Sequence, residues 1–400
     1  MKAITIYTTS DYPFGGPAEN FVRQMALGLK ENGQSVSIVL LKGQSKKQKN
    51  DTKIPCVSLL FSKRPKNGFL KLIQLFFIFL TVPYSLLKNK IKRNSKIIIL
   101  YGVEYFHLIA PFLIMKYILN LKVYRIITDR YPKNVISPIW WKTPKIFFYN
   151  FQYKYLDKFL DGIICLSSYL KESSIKYGVK KNKIIVIPHF IDLSFFKISK
   201  SLLRDNEKIR IGMCGTLNRQ NGILELIKAY KIIQMKHPNV ELLLVGPIKN
   251  DIIKEINKIF SSLDDNSIII TGKVDSQYIP DYLYSCDILV NPRRSGIFAD
   301  AGFPTKLGEY FASRKPVVAT SVGDIKIYFQ NQKELILVDP NSILSLANGL
   351  CFLIENKCLA KDIALNGYKW ASENLDYKKS AQRLLNFIYN KSLFKFSLST

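Results

Sequence analysis

Short runs that are apolar at nearly every position recur along this chain, among them Ala3–Thr9, Lys96–Tyr101, Val240–Val245 and Val317–Thr320, with helix-length segments between them. A strand that is apolar at consecutive positions is buried on both faces, as in a parallel sheet covered on each side by crossover helices. The alternation predicts an α/β protein. In the first half, strands are expected at Ala3–Thr9, Ser35–Leu41, Lys96–Tyr101, Lys122–Ile127, Gly162–Leu166 and Lys183–Ile187. A helix is expected from Pro17 to about Asn32, with proline at its start and Gly33 just past its end. The cycle restarts at Ile209–Cys214, followed by a helix from Gly222 to about Met235 and strands at Val240–Val245, Ser267–Thr271 and Ile288–Val290. Between the halves, Asp192–Lys208 is polar and irregular and reads as a linker. The expectation is two Rossmann-like domains facing across a cleft, residues 1–195 and 205–375, with a C-terminal helix in residues 376–400 packing back on the first.

The densest chemistry lies from Arg293 to Gly323, RRSGIFADAGFPTKLGEYFASRKPVVATSVG, where a strand runs into a glycine-proline loop and then a helix. The helix start carries Thr305, Lys306 and Glu309 within one turn. Free N–H groups at a helix N-terminus beside a cation suit a phosphate or diphosphate. Glu309 is placed to accept hydrogen bonds from neighbouring sugar or ribose hydroxyls. The plain alternative is an ordinary loop, helix and strand with a surface Lys and Glu, since such residues commonly start helices.

The charge is lopsided. Residues 1–200 hold 33 Lys+Arg against 10 Asp+Glu, a net of +23 out of +29 for the whole chain. The first half therefore faces something anionic, nucleic acid or membrane lipid. The apolar run Phe69–Leu87 is interrupted by Lys71, Gln74 and Pro83 and is too short to span a bilayer. Its flanks are basic, with Lys63, Arg64 and Lys66 before it and Lys88, Lys90, Lys92, Arg93 and Lys96 after it. That pattern suits an interfacial helix on an anionic leaflet, or else a buried helix with a solvated basic rim. A second aromatic-basic stretch, from Trp140-Trp141-Lys142 to Phe147-Phe148-Tyr149, supports the membrane reading. Six cysteines match no zinc or CxxC spacing and read as reduced core residues of a cytoplasmic protein. The opening MKAITIYTT reads as a strand rather than a signal peptide.

Several motifs in order resemble the GT-B fold glycosyltransferases of family 4: Gly15-Gly16 after the first strand, IPHFID (Ile187–Asp192), GTLNRQNGI (Gly215–Ile223), VGP (Val245–Pro247), SCDILVNP (Ser285–Pro292), and the helix FPTKLGEYFASRKPVVAT. The last is similar to the signature helix of lipopolysaccharide, capsule and exopolysaccharide transferases. The resemblance implies transfer of a sugar from a UDP- or GDP-linked donor to an acceptor, with retention at the anomeric carbon, no cofactor and no metal. In that reading Glu309 binds the nucleotide ribose. Lys306, Pro304-Thr305 and the helix N-terminus hold the diphosphate, and Lys273-Val274 lie where main chain pairs with the base. The sequence agrees on the metal, since it shows no Asp-x-Asp pair in an apolar setting.

This chain departs from the family pattern in three places. Ala301 stands where many members have a second glutamate; either Asp300 beside it takes over sugar binding or the role is lost. Thr216 and Asn221 replace the usual Arg and Lys of the loop opening the second domain, leaving Arg219, Arg294 and Lys306 as candidate grips on the diphosphate together with Gly215. His189 replaces the usual Asn.

On the first domain, Gly15 and Gly16 allow close backbone approach to the ligand, or simply a tight turn into a helix. His107 and Asp129-Arg130 fall at the C-terminal edge of the expected sheet, where ligands of open α/β sheets bind, and are candidates to orient an acceptor hydroxyl, or else a satisfied structural His and a surface ion pair. The acceptor implied is lipid-linked or an oligosaccharide, met at the inner face of the cell membrane. Other classes fit less well. A dinucleotide oxidoreductase lacks its GxGxxG turn here. A basic nucleic-acid- or membrane-binding protein without transferase activity is the alternative, but no nucleic-acid module is visible and no nucleic acid is expected as partner.

Overall fold

The structure, a computed structural model, describes residues 2–12, 16–41, 54–59, 68–104, 106–129, 143–196, 208–260 and 267–389. The chain divides into two units, Met1–Phe190 with Tyr377–Thr400, and Ile191–Asp376.

The first unit runs β1 (Ala3–Thr8), α1 (Pro17–Glu31), β2 (Ser35–Leu40), β3 (Cys56–Ser58), α2 (Gly68–Arg93), β4 (Ser95–Tyr101), α3 (Phe106–Ile118), β5 (Lys122–Ile127), α4 (Thr143–Phe151), β6 (Gly162–Cys165), α5 (Ser168–Lys176) and β7 (Ile184–Val186). Its seven strands lie in the order β3-β2-β1-β4-β5-β6-β7, with the pairs in parallel register. Every residue of central β1 is buried. Its one polar side chain near the middle, Thr5, shares hydroxyl hydrogen bonds with Ser37 of β2 at 3.2 Å and Ser95 of β4 at 2.9 Å, so its burial leaves no polar group stranded. Another buried polar feature is an ion pair, Arg125 Nη1 to Asp157 Oδ2 at 2.5 Å, with the guanidinium 4.9 Å from the Tyr153 ring. Right-handed crossovers place α2, α3 and α4 on one face of the sheet and α1 on the other.

The second unit continues β8 (Ile209–Cys214), α6 (Ile223–Lys236), β9 (Val240–Val245), α7 (Asn250–Phe260), β10 (Ile268–Gly272), α8 (Ile279–Tyr284), β11 (Ile288–Asn291), α9 (Ile297–Ala301), α10 (Thr305–Ala312), β12 (Val317–Thr320), α11 (Ile325–Tyr328), β13 (Ile336–Val338), α12 (Ile343–Glu355) and α13 (Lys357–Asn374). Six parallel strands lie in the order β10-β9-β8-β11-β12-β13. One apolar layer joins α6, α7 and α12 to the sheet through Leu226, Ile256 and Leu350. The layer on the other face joins α10 and α8 through Leu307, Phe311 and Leu283. The chain then returns to the first unit as α14 (Tyr377–Ile388), which packs on α1. There Asn32 Nδ2 donates to the carbonyls of Gly28 and Lys378, and Tyr377 donates to Glu31 at 2.8 Å.

The strand and helix expectations agree with these elements to within a residue or two at most ends. Two strands escaped the sequence. β3 and β13 are three residues each and exist because β2 and β12 offer parallel partners. The second unit also begins at Ile191, ahead of the expected 205, because the Ile191 N–H donates to the Leu375 carbonyl at 2.8 Å and its side chain joins the second core. Residues 197–207 of the expected linker lie outside the described residues. Cys165, Cys214, Cys286 and Cys351 are buried as expected of core thiols, but Cys358 is exposed and Cys56 half-buried. No single helix among the described residues is long and apolar enough to cross a membrane.

Candidate active site

In each sheet the chain reverses its direction of travel once, between β1 and β4 in the first unit and between β8 and β11 in the second. Outside the strand ends at such a point the loops diverge and leave a crevice, where ligands of open α/β sheets bind.

In the second unit the loop after β8, the loop after β11 and the start of α10 come together at this point. Gly215 follows β8 with φ of 141°, and a Cβ there would sit 3.7 Å from the Lys306 side chain. Gly246, at the end of β9, is packed so tightly that a Cβ would fall 1.8 Å from the Gly215 carbonyl oxygen. Gly246 must therefore be glycine for the two strand ends to approach, while Gly215 needs glycine for its φ. The alignment is fixed from below by Tyr310 of α10. Its buried hydroxyl accepts from the Cys214 N–H at 2.7 Å and donates to the Cys214 carbonyl at 3.0 Å.

The first turn of α10 presents Thr305, Lys306 and Glu309. Its N-cap is Pro304, which has no side-chain oxygen to satisfy the first N–H groups. Lys306 Nζ lies 3.0 Å from Glu309 Oε2, and both side chains are partly exposed. Burial by itself would lower the Lys306 pKa, but Glu309 beside it raises it above the usual range, so the ammonium keeps its charge. The result is a fixed cation beside uncapped helix amides, with a carboxylate one turn further in.

The other predicted residues have varied surroundings. Arg294 is at the same crevice, its N–H donating to the Gln220 carbonyl at 3.1 Å and its side chain 3.4 Å from Glu225 and 3.3 Å from Asn341. Arg219 is turned away onto α7. Its guanidinium makes a two-point contact with Glu255, one arm at 2.9 Å, so it is engaged as a surface ion pair rather than as a free grip on a diphosphate. Asp300 is also employed in the fold, its Oδ1 accepting from the Gly323 N–H at 3.1 Å. That bond ties α9 to the loop after β12 at a residue of left-handed φ. Lys273 is exposed and Val274 half-buried just beyond β10. Asn221, where a lysine was expected, donates to the Thr216 carbonyl at 2.7 Å and closes its own loop.

Two contributors gave no sequence signal. Arg293 is 8% exposed and staples the short α9 by donating to the carbonyls of Phe298 at 2.8 Å and Gly302 at 3.2 Å, with its own carbonyl held by Thr320. Tyr310 was hidden for a similar reason, because a hydroxyl bond to a strand 96 residues away in sequence leaves no local pattern.

At the crevice of the first unit, the Gly16 N–H donates to Glu19 Oε2 at 2.8 Å, so α1 caps itself. Gly15, Arg130 and the second aromatic stretch as far as Lys142 lie outside the described residues, and His107 is described only as a backbone position in the first turn of α3. Asp129 follows β5, its backbone carbonyl accepting from Tyr149 at 2.9 Å. The structure adds Glu104, just past β4. Its carboxyl is pushed up by burial and by Asp129, against the pull of Arg125. His189 is buried and stacked on Phe21, with ring centroids 5.6 Å apart.

Two further features lie away from the crevice. A cavity of about 650 Å³ is lined by Phe196, Tyr284, Arg314 and Tyr368 at the opposite end of α10. Among the described residues, His237, Cys351 and Glu355 bring ligand atoms within 4.8 Å of one another, but at the far end of α6. Neither adds a group to the site.

Comparison with known proteins agrees with both units. Residues 14–195 match the model described as Glycosyltransferase Family 4, and residues 208–356 the one described as Glycosyl transferases group 1. The chain is 24% identical over 264 residues to a trehalose synthase of Thermococcus litoralis, covering 61% of each chain. It is 28% identical over 208 residues to the putative teichuronic acid biosynthesis glycosyltransferase TuaC of Bacillus subtilis, covering 50% of this chain and 49% of TuaC. These matches span about half to three fifths of the relatives' length. In fold it is similar to Anabaena HepE, solved in complex with UDP and glucose, with a TM-score of 0.72 at 20% identity over 98% of this chain and 100% of that one. With a matching family model on each Rossmann-like unit, the chain belongs to the GT-B fold glycosyltransferases of family 4, the glycosyl transferases group 1.

Proposed function

We propose that the protein moves a sugar from a UDP- or GDP-linked donor to a lipid-linked glycan acceptor at the cytoplasmic face of the membrane, in cell-surface polysaccharide synthesis, with retention and without a metal. The observation that carries the reading is the pairing of Lys306 with Glu309 in the uncapped first turn of α10, against Gly215. As the bond between the anomeric carbon and the diphosphate oxygen breaks, negative charge gathers on the departing diphosphate. The Lys306 ammonium and the first N–H groups of α10 are fixed in advance where that charge develops, and such preorganised stabilisation is commonly the largest catalytic effect. The Glu309 carboxylate is an acceptor for ribose hydroxyls, and its charge keeps Lys306 protonated. The acceptor side rests on the charge of the first half and on Asp129 and Glu104 at its sheet edge.

HepE's complex with UDP makes UDP the first nucleotide to test, and TuaC's name makes a teichuronic acid intermediate the first acceptor to test. A thermal-unfolding screen of nucleotide sugars is the direct experiment, since a ligand of the native state raises Tm, and more so the tighter it binds. A selective rise with one UDP- or GDP-sugar, followed by its turnover with activity intact in EDTA, is the expected result. A flat screen would favour a basic binding protein without transferase activity, and activity lost to EDTA and restored by magnesium would remove the metal-free mechanism.

A further inference from the structure

Neighbouring helices of the first unit turn large apolar side chains outward. α2 is held to the sheet by buried Ile78, Val82 and Leu86, and by the Tyr7 hydroxyl, which bonds Ser85 at 3.0 Å and Asn89 at 3.1 Å. On the opposite side Leu80, Tyr84, Leu87 and Ile91 are 56%, 66%, 42% and 73% exposed. At 3.6 residues per turn these four positions fall within about 60° of one another, a single line along the helix. Lys88 and Lys90 flank that line on either side, and Lys92 and Arg93 follow. α3 packs beside α2 and has the sequence FHLIAPFLIMKYI, apolar except at His107 and at Lys116, which pairs with Asp161 at 3.1 Å. Leu108, Ile109 and Phe112 face the core, yet Ile114, Tyr117 and Ile118 are 51%, 68% and 67% exposed. Beyond α4 the pattern repeats in small, with Lys154 over the Tyr155 ring and Lys158 over the exposed Phe159.

Single exposed apolar residues are ordinary, but a continuous apolar surface is not. We infer that the outer face of α2 and α3 docks on an anionic phospholipid leaflet, its apolar line sinking to the acyl boundary while Lys88, Lys90, Lys92 and Arg93 meet lipid phosphates. Charge selects this occupant. From Gly68 to Arg93 the helix has five cations and no acidic residue, inside a half-chain of net charge +23. A second copy of the chain would bring like charges face to face, and nucleic acid has no use for the apolar line. The inference extends the membrane-side acceptor proposed above, but its test needs no turnover, so the two can fail separately.

The test is cosedimentation of the full chain with vesicles of phosphatidylcholine containing about 30 mol% phosphatidylglycerol, against phosphatidylcholine alone. Three variants accompany the wild type: Leu80→Ser with Tyr84→Ser and Ile91→Ser; Tyr117→Ser with Ile118→Ser; and Lys88, Lys90, Lys92 and Arg93 all to Gln. The wild type is expected to bind only the anionic vesicles. Each Ser variant should lose at least about tenfold in binding, at an unchanged Tm because the side chains removed are exposed. The Gln variant should lose about fivefold per cation at low salt, a loss that shrinks as salt rises. Absent wild-type binding, or Ser variants that bind like wild type, would overturn the inference. So would a wild-type dimer that the Ser substitutions split, since a second copy would then cover the face.

Discussion

At the scale of single residues, the site is built less by the groups that meet ligand than by those that hold them. Lys306 and Glu309 lie one turn apart on α10, and each is expected to be worth about 1.5–3 kcal/mol through a charge-assisted contact. Lys306→Ala and Glu309→Ala should each lower kcat/KM by roughly tenfold to a hundredfold at unchanged Tm. Wild-type kinetics in both would remove the site. Tyr310 acts differently, since its hydroxyl satisfies the buried Cys214 N–H. Tyr310→Phe leaves that donor unpaired and should lower stability by about 1–3 kcal/mol in urea unfolding. Glu104 gives a pH signature. A carboxyl raised by burial binds its proton more tightly in the folded state, so it supports the fold below its unfolded pKa and that support is lost as pH rises through its folded pKa. Glu104→Gln stays neutral, so its Tm relative to wild type should climb as pH rises above the ordinary range of a glutamate carboxyl. A constant difference would mean that Glu104 is solvated.

At the scale of elements, contacts far apart in sequence decide which unit a segment serves. α14 follows the second unit directly in the chain, yet it lies on α1, where Gly28 leaves room for the Tyr377 carbonyl. A Cβ on Gly28 would sit 2.4 Å from that oxygen and 2.8 Å from the Ala381 Cβ. Backbone cannot swing aside like a flexible side chain, so Gly28→Ala should cost about 1–3 kcal/mol and speed proteolytic release of the C-terminal segment. Unaltered proteolysis would show that α14 docks without this contact. The loop after β8 obeys the same logic, because Gly222 has φ of 77° and a Cβ there would meet the Pro292 carbonyl at 1.8 Å.

At the scale of the whole molecule, each unit carries its own apolar core, so damage to one should be readable apart from ligand binding to the other. The ion pair of Arg125 with Asp157 is sealed in the first unit, both side chains at most 2% exposed. Asp157→Ala strands a buried guanidinium and should cost about 3–5 kcal/mol. With the donor proposed to sit on the second unit, the Tm rise given by the matching nucleotide should survive at temperatures where the variant stays folded. Loss of that rise in calorimetry would mean that the first unit also contributes to donor binding.

The alternation of apolar runs and helices was enough to read two parallel α/β units, because burial on both faces writes itself into consecutive positions of a strand. The motif around Lys306 and Glu309 was legible too, since residues on one helix turn stay together whatever surrounds them. Pairings across long loops were not. Nothing local says that Arg219 turns to Glu255, that Asp300 holds Gly323, or that Tyr310 bridges Cys214, because a hydrogen bond or ion pair depends on a partner brought near by the fold. The short strands β3 and β13 were unreadable for the same cause, as three residues become a strand when a neighbour offers its edge. Composition alone marked the first half as basic and apolar, but only the packed helices show which side chains of α2 and α3 point outward.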